Sequence, residues 1–159
     1  MPQGEFRIHA HPGDRPVKSL HDPSARAEIV DRLGRLTPTS TPQWGRMDAV
    51  RMLAHLGDAL RMGSGELELP FKKSPLRLRP VQLLVIYLLP FPKDLPTAPG
   101  LIARPPGDWQ REVDEMRARV ESFTVNPDAV HPIFGKLSHK DWGVLTYKHV
   151  DHHFRQFGV

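Results

Sequence analysis

An all-α fold, with helices packed as a four-helix bundle, is what this 159-residue sequence predicts, on three observations. Apolar residues recur at three- and four-residue spacing in four separate stretches, the period that puts them on one face of a helix. Each of those stretches opens on an aspartate or a serine in the N-cap place. No stretch alternates apolar and polar residues as a half-buried strand would, and no internal repeat is present.

Residues 1–21 carry proline and glycine without periodicity and read as a loose N-terminal arm, leaving 22–159 as one domain. Asp22-Pro23 supplies an N-cap and a proline at the first helical position, and Ala25, Ile29, Leu33 and Leu36 follow on one stripe. Pro38 and Pro42 end that helix. Asp48 caps the second, whose stripe is Val50, Leu53, Ala54, Gly57 and Leu60, with Gly63 and Gly65 at its end. Residues 70–80 are basic and turn-like, and 81–89 form a short extra apolar helix. Pro90, Pro92, Pro96 and Pro99 then force a long irregular crossover up to Gly107. Asp108 caps the next helix, with Trp109, Val113, Met116, Val120 and Phe123 facing inward. Residues 126–137 read as loop. Ser138 and Asp141 form a capping box for the last helix, which runs to about Phe157 with Gly158 beyond it. Its inward face carries Trp142, Leu145, Tyr147, His149, Val150, His153 and Phe157.

The formal net charge of +4 is dispersed rather than gathered into a basic stripe, so no nucleic-acid partner is expected. Lys72, Lys73, Arg77 and Arg79 precede the apolar 81–89 segment. Such a pairing can meet an anionic surface, but it reads more simply as the solvated start of a buried helix. No membrane partner is expected, since the longest apolar run, interrupted by Gln82 and Pro90, is far shorter than the ~20 residues of a spanning helix. The chain has no cysteine, which excludes disulfides, thiolate metal ligands and a cysteine nucleophile. That fits a reducing cytoplasm, as does the lack of an apolar signal-type stretch in residues 1–15. A homodimer through an exposed face of 81–89 is open to a bundle of this size.

Chemistry concentrates in Tyr147-Lys148-His149-Val150-Asp151-His152-His153-Phe154-Arg155-Gln156. At i and i+4, His149 and His153 share a helix face with Cβ atoms roughly 5–6 Å apart, so two imidazoles can aim at one point. Helix two carries one histidine, His55, between Leu53 and Leu56 on its apolar side. Two readings stay open on the residues alone. In one, the three imidazoles converge on a metal ion. In the other, His55 bonds a backbone carbonyl in the core and the rest are packing or surface residues. His152 lies about 100° around the helix from His153, which places it beside the ligands or at a pocket rim. The helix is not of the H-E-x-x-H kind, because Val150 stands where the glutamate base would be and Asp151 faces away. Asp58, one turn after His55, is the nearby candidate for a fourth ligand. Trp142, two turns before His149, is a pocket candidate, with Tyr147 and Arg155 as weaker ones. His9, His11, His21, His131 and His139 lie in arms, loops or caps and read as incidental.

A lone helix-two histidine combined with a terminal H-x-x-H-H helix resembles the DinB-like superfamily of four-helix metal-binding proteins. That superfamily includes bacillithiol S-transferases of the YfiT type and mycothiol-dependent maleylpyruvate isomerases. Trp44-Gly45-Arg46-Met47, Met52-Leu53-Ala54-His55 and His131-Pro132-Ile133-Phe134-Gly135-Lys136-Leu137 resemble one uncharacterised branch. So does the ending Trp142-Gly143-x-Leu145-Thr146-Tyr147-Lys148-His149-x-x-His152-His153-x-Arg155-Gln156-Phe157-Gly158. The similarity covers about residues 42–159 and is loose over 65–107. It implies a triad of His55, His149 and His153 holding Zn²⁺, Ni²⁺ or a similar divalent ion. One departure stands out. The thiol-transferase relatives tend to end His-His-Arg-Gly-Gln, whereas here Phe154 separates His153 from Arg155 and Gln156, turning those two by about 100°.

Since the chain has no thiol of its own, the resemblance implies an enzyme that moves a low-molecular-weight thiol onto a small electrophile. The alternative is a non-enzymatic bundle, structural or stress-responsive, in which a metal closed off by a fourth protein ligand staples two helices.

Overall fold

A computed structural model describes residues 17–93, 101 and 104–159. The fold is mainly α-helical. Helix α1 (Pro23–Leu33) begins at Asp22 with proline in its first turn, and its stripe Ala25, Ile29, Leu33 and Leu36 is buried. It stops three residues short of the expected end, at Leu33, although Leu36 still packs inside. Helix α2 (Ala49–Ser64) is capped by the Asp48 side chain, which accepts from Arg51 N–H. It ends on Gly65 at φ 82°, a left-handed position where a Cβ would crowd Asn126. Val50 is only half-buried, but otherwise α2 is buried nearly all round from Met52 to Leu60, a central helix rather than a surface one.

A 3-10 turn (Pro75–Arg77), helix α3 (Arg79–Leu83) and a π-helical turn (Leu84–Leu88) follow in place of one regular helix over 81–89. Their amphipathic face is tied down rather than merely packed. Asp141 accepts from Arg79 at 2.6 Å and from Tyr87 at 2.8 Å, and Lys148 Nζ donates to the carbonyls of Val85, Ile86 and Leu89. Half of the crossover expected over 90–107, residues 94–100 and 102–103, lies outside the described residues, as do residues 1–16 of the expected arm. The arm's last residues are docked: Leu20 is fully buried and donates its N–H to the Gly143 carbonyl at 3.0 Å. Gly143 is glycine for this reason, because a Cβ there would overlap the His21 ring and the Ser19 hydroxyl.

Helix α4 (Trp109–Glu121) is capped by Asp108 and buries Met116 and Val120. Residues expected as loop then form a two-residue antiparallel ladder, β1 (Val130–His131) against β2 (Gly135–Lys136). Such a pair is too short to show an alternating pattern in sequence. Helix α5 (His139–Gln156) starts with the capping box of Ser138 and Asp141 complete in both directions. Helices α1, α2, α4 and α5 share one core, built on Ile29, Leu33, Met52, Leu56, Val120 and Phe154. A second cluster, including Met62, Ile86, Phe134 and Trp142, fills the other end of α2 and α5 under the α3 segment. Helices α2 and α5 run antiparallel, with Gly63 against Trp142 at one end and His55 against His149 and His153 toward the other.

Candidate metal centre

The antiparallel packing of α2 on α5 brings His55, His149 and His153 together. One nitrogen from each lies within 4.8 Å of the other two. The ring centroids form a near-equilateral triangle with sides of 4.9, 4.9 and 5.0 Å. Three histidines are thus close enough to hold a metal ion.

The outer hydrogen bonds decide which nitrogens face inward. His55 Nδ1 lies 3.3 Å from the Leu101 carbonyl, which can only accept, so Nδ1 carries the proton and Nε2 keeps its lone pair. His153 Nδ1 meets Gln156 Oε1 at 2.9 Å, and the Gln156 amide donates in turn to the Trp44 carbonyl at 2.6 Å. Gln156 is therefore oriented as an acceptor toward His153, whose Nε2 is also left with a lone pair. His55 Nε2 and His149 Nε2 stand 3.0 Å apart. Without a cation, His149 can satisfy one of the two inward lone pairs by donating to it, and the other has no side-chain donor among the described residues. A divalent cation accepts all three. The donor set fits a metal ion: three neutral imidazoles, two of them held by carbonyl-type acceptors at their far nitrogens.

Burial keeps these rings neutral. Desolvation pushes all three imidazoles below the usual histidine range, and neighbouring rings add repulsion at His149 and His153. His153 is lowered to about 3.

The cluster opens on a cavity of about 830 Å³ lined by α2, α5, the Trp44–Met47 loop, Leu76, Val85, Phe91 and the β1–β2 loop. His152 sits half-buried between the Trp44 and Phe91 rings, at 5.8 Å from each, on the cavity wall next to His153. Trp142 lines the far end of the cavity, 5.6 Å from the His131 ring.

Three other residues singled out in the sequence lie elsewhere. Asp58 is buried, but its carboxylate is taken by Arg104 at 3.2 Å and Arg61 at 3.4 Å, so it does not join the histidines. Tyr147 bonds Glu28 at 3.0 Å on the α1 side of α5. Arg155 is exposed, and its ion-pair partner among the described residues is Asp151, at 3.8 Å, so it does not reach the site. Gln156 takes the position behind His153. Asp151 faces away from the histidines and pairs with Arg32 at 2.8 Å. Of the basic group before α3, Arg79 is ion-paired with Asp141 and Arg77 lies 3.7 Å over the Phe71 ring.

Sequence reasoning missed two features. His131, read as incidental, lines the cavity. Its Nδ1 accepts from the N–H groups of Ile133 and Phe134, both at 3.2 Å, which fixes the proton on Nε2. Burial lowers its pKa to about 3. The histidine two places before Ile133 in a proline turn was the available signal. The second is Glu112, fully buried in a two-pronged pair with Arg104 at 2.8 and 2.9 Å. Its partner lies in the crossover, where no periodicity announces it.

No family model, no curated protein and no solved structure matches this chain. Among the described residues, no helix is long and apolar enough to cross a membrane.

Proposed function

We propose that this chain is a DinB-like four-helix bundle holding one divalent ion, Zn²⁺ or Ni²⁺, at His55, His149 and His153. We further propose that it is an enzyme transferring a low-molecular-weight thiol to an electrophile. The observation that carries the reading is the convergence of three neutral imidazoles, two with their tautomer fixed from outside, on a point open to a cavity of about 830 Å³. Such a volume lies within the range of small-molecule sites. An ion with three neutral ligands retains its full charge and would favour the thiolate form of a bound thiol or polarise a carbonyl.

The chain's own residues supply the rest. Leu101 and Gln156 orient His55 and His153, the Trp44 and Phe91 rings hold His152 at the rim, and the apolar wall excludes water around the electrophile. The stapling alternative needs a closed site. Asp58, its candidate fourth ligand, is committed to Arg104, and the cluster of converging ligand atoms among the described residues stops at three histidines. The proposal includes a cytoplasmic setting, where small thiols are kept reduced, and a homodimer through the exposed Leu84, Leu88 and Leu89, which sedimentation would reveal.

The test is metal content by mass spectrometry on tag-free protein, followed by thiol-dependent turnover over an electrophile panel. Near-stoichiometric metal that disappears in His55→Ala and His153→Ala supports the centre. A metal-replete protein with no thiol-dependent turnover would sink the transferase assignment, and a protein that takes up neither Zn²⁺ nor Ni²⁺ would sink both.

A further inference from the structure

The cavity has two unlike ends, and the triad lies between them. Along α2 its wall is Arg51, His55, Ala59 and Met62, residues spaced at i, i+4, i+8 and i+11 on one face. From Arg51 to Met62 is eleven residues, roughly 16 Å at 1.5 Å per residue. Along antiparallel α5 the wall runs the opposite way, from Trp142 and Leu145 through His149 to His153 and Gln156. The Met62 end is lined by Leu76, Val85, Ile133 and Phe134, with the His131 ring as the polar group beside Phe134 and Trp142. At the Arg51 end stand Arg46 and Arg51, both exposed and, among the described residues, without an ion-pair partner. Lys93 lies 4.4 Å over the ring of Trp44, which lines the same cavity. Trp44 Nε1–H is buried there with no acceptor among the described residues. The described residues lining the cavity include no aspartate or glutamate.

Such a cavity selects by charge at one end and by apolar area at the other. Two guanidinium groups and an indole N–H that have no partner among the described residues offer only donors, and they match a carboxylate, which accepts in two-pronged fashion. Apart from the His131 ring, the side chains named at the other end are apolar, so placing a charged group there carries a cost of desolvation.

We infer that the ligand of this site is an elongated apolar monoanion, an aliphatic or aromatic carboxylate. Its anionic head lies at Arg46 and Arg51, its body runs along Leu145 and Phe134 toward Met62, and its middle passes the triad. Arg51, one turn before His55 on the same face of α2, sets the head one helical turn from the histidines. The inference rests on the metal-centre reading only for what happens to the ligand at the triad, since the binding contacts are those of the chain itself.

Calorimetric titration with decanoate, decan-1-ol and decyltrimethylammonium, below micelle-forming concentrations, tests it on metal-stripped and Zn²⁺-incubated protein. Decanoate is expected to bind in both, at least about tenfold more tightly than the alcohol, a difference of about 1.4 kcal/mol. Arg51→Gln, an exposed position, is expected to erase that preference while leaving the alcohol's binding unchanged. Leu145→Trp and Met62→Trp, each checked for retained helicity by circular dichroism, are expected to weaken decanoate and decanol together by occupying the apolar end. Equal binding of alcohol and carboxylate, tighter binding of the ammonium, an Arg51→Gln variant that keeps the preference, or undiminished binding in both tryptophan variants would overturn the inference. The zinc content of the same samples separates the two readings. Arg51-dependent decanoate binding in a protein that takes up no zinc upholds this inference and removes the metal centre. Stoichiometric zinc without decanoate binding does the reverse.

Discussion

His55 and His149 meet nitrogen to nitrogen, Nε2 to Nε2 at 3.0 Å, across the seam of two antiparallel helices. With His55 Nδ1 committed to the Leu101 carbonyl, one lone pair of that seam needs a proton or a cation. Replacing any one of His55, His149 and His153 by alanine is expected to abolish stoichiometric zinc binding while the protein stays helical. Metal analysis beside far-ultraviolet circular dichroism checks this. Retention of zinc in His149→Ala would place the ion elsewhere.

Gln156 and Asp58 separate a residue that supports a ligand from one that only stands near it. Gln156 holds His153 through Nδ1, and losing such a partner weakens metal binding by about 10–100-fold. Gln156→Leu should show that loss in competition with a zinc-binding dye. Asp58→Asn should leave zinc affinity unchanged, because the carboxylate is held by Arg104 and does not join the three histidines. A large affinity loss in Asp58→Asn would restore it as a ligand.

Zinc should stabilise the fold, since an unfolded chain has no such convergence of imidazoles. At free zinc about 100-fold above the dissociation constant the gain is about 2.7 kcal/mol, read as a raised urea midpoint at pH 7. In the metal-free protein the same burial makes stability fall with acid. His55, His149, His153 and His131 all have folded values depressed by desolvation, the last two to about 3, against 6.5 in the unfolded chain. Between those values the unfolded chain binds more protons. Their contribution is therefore complete above pH 6.5 and is lost as pH falls toward 3. The depressed carboxylates Glu28, Glu112 and Asp141 act in the same direction, but only from their ordinary range near 4 downward. The histidines alone should lower the urea midpoint between pH 6.5 and 5. A flat midpoint across that window would contradict neutral burial of the rings.

Glu112 and Arg104 link α4 to the segment that delivers Leu101 to His55. Glu112→Gln leaves a partly buried guanidinium without its two-pronged partner. Breaking a buried pair costs about 3–5 kcal/mol, and the quarter exposure of Arg104 places this one at the low end. Chemical denaturation measures it.

Gly143→Ala should detach the Ser19–His21 turn from α5, at a cost of about 1–3 kcal/mol for the overpacking. Proteolysis after Lys18 should quicken in parallel. Unchanged stability would show that this turn yields without loss.

Local rules made much of the helical framework legible. Asp48, Asp108 and Ser138 each accept from the N–H three residues on, because a short acceptor before an apolar-periodic stretch has few better places to bond. The i, i+4 spacing alone put His149 and His153 on one face of α5. Short-range patterns gave one helix over 81–89 and could not show its break into α3 and a π turn, held by Asp141 and Lys148, or resolve β1 and β2. Whether His55 opposed that face was a question of how α2 packs on α5, which no spacing within one helix encodes. Tertiary structure decided it, and with it the separation of Asp58, which lies one turn from His55 yet points to Arg104. The commitment of Gln156 to His153, the union of Glu112 with Arg104 and the two-ended cavity follow from the same cause. Each joins residues distant in sequence, and their geometry is set by packing rather than by neighbours along the chain.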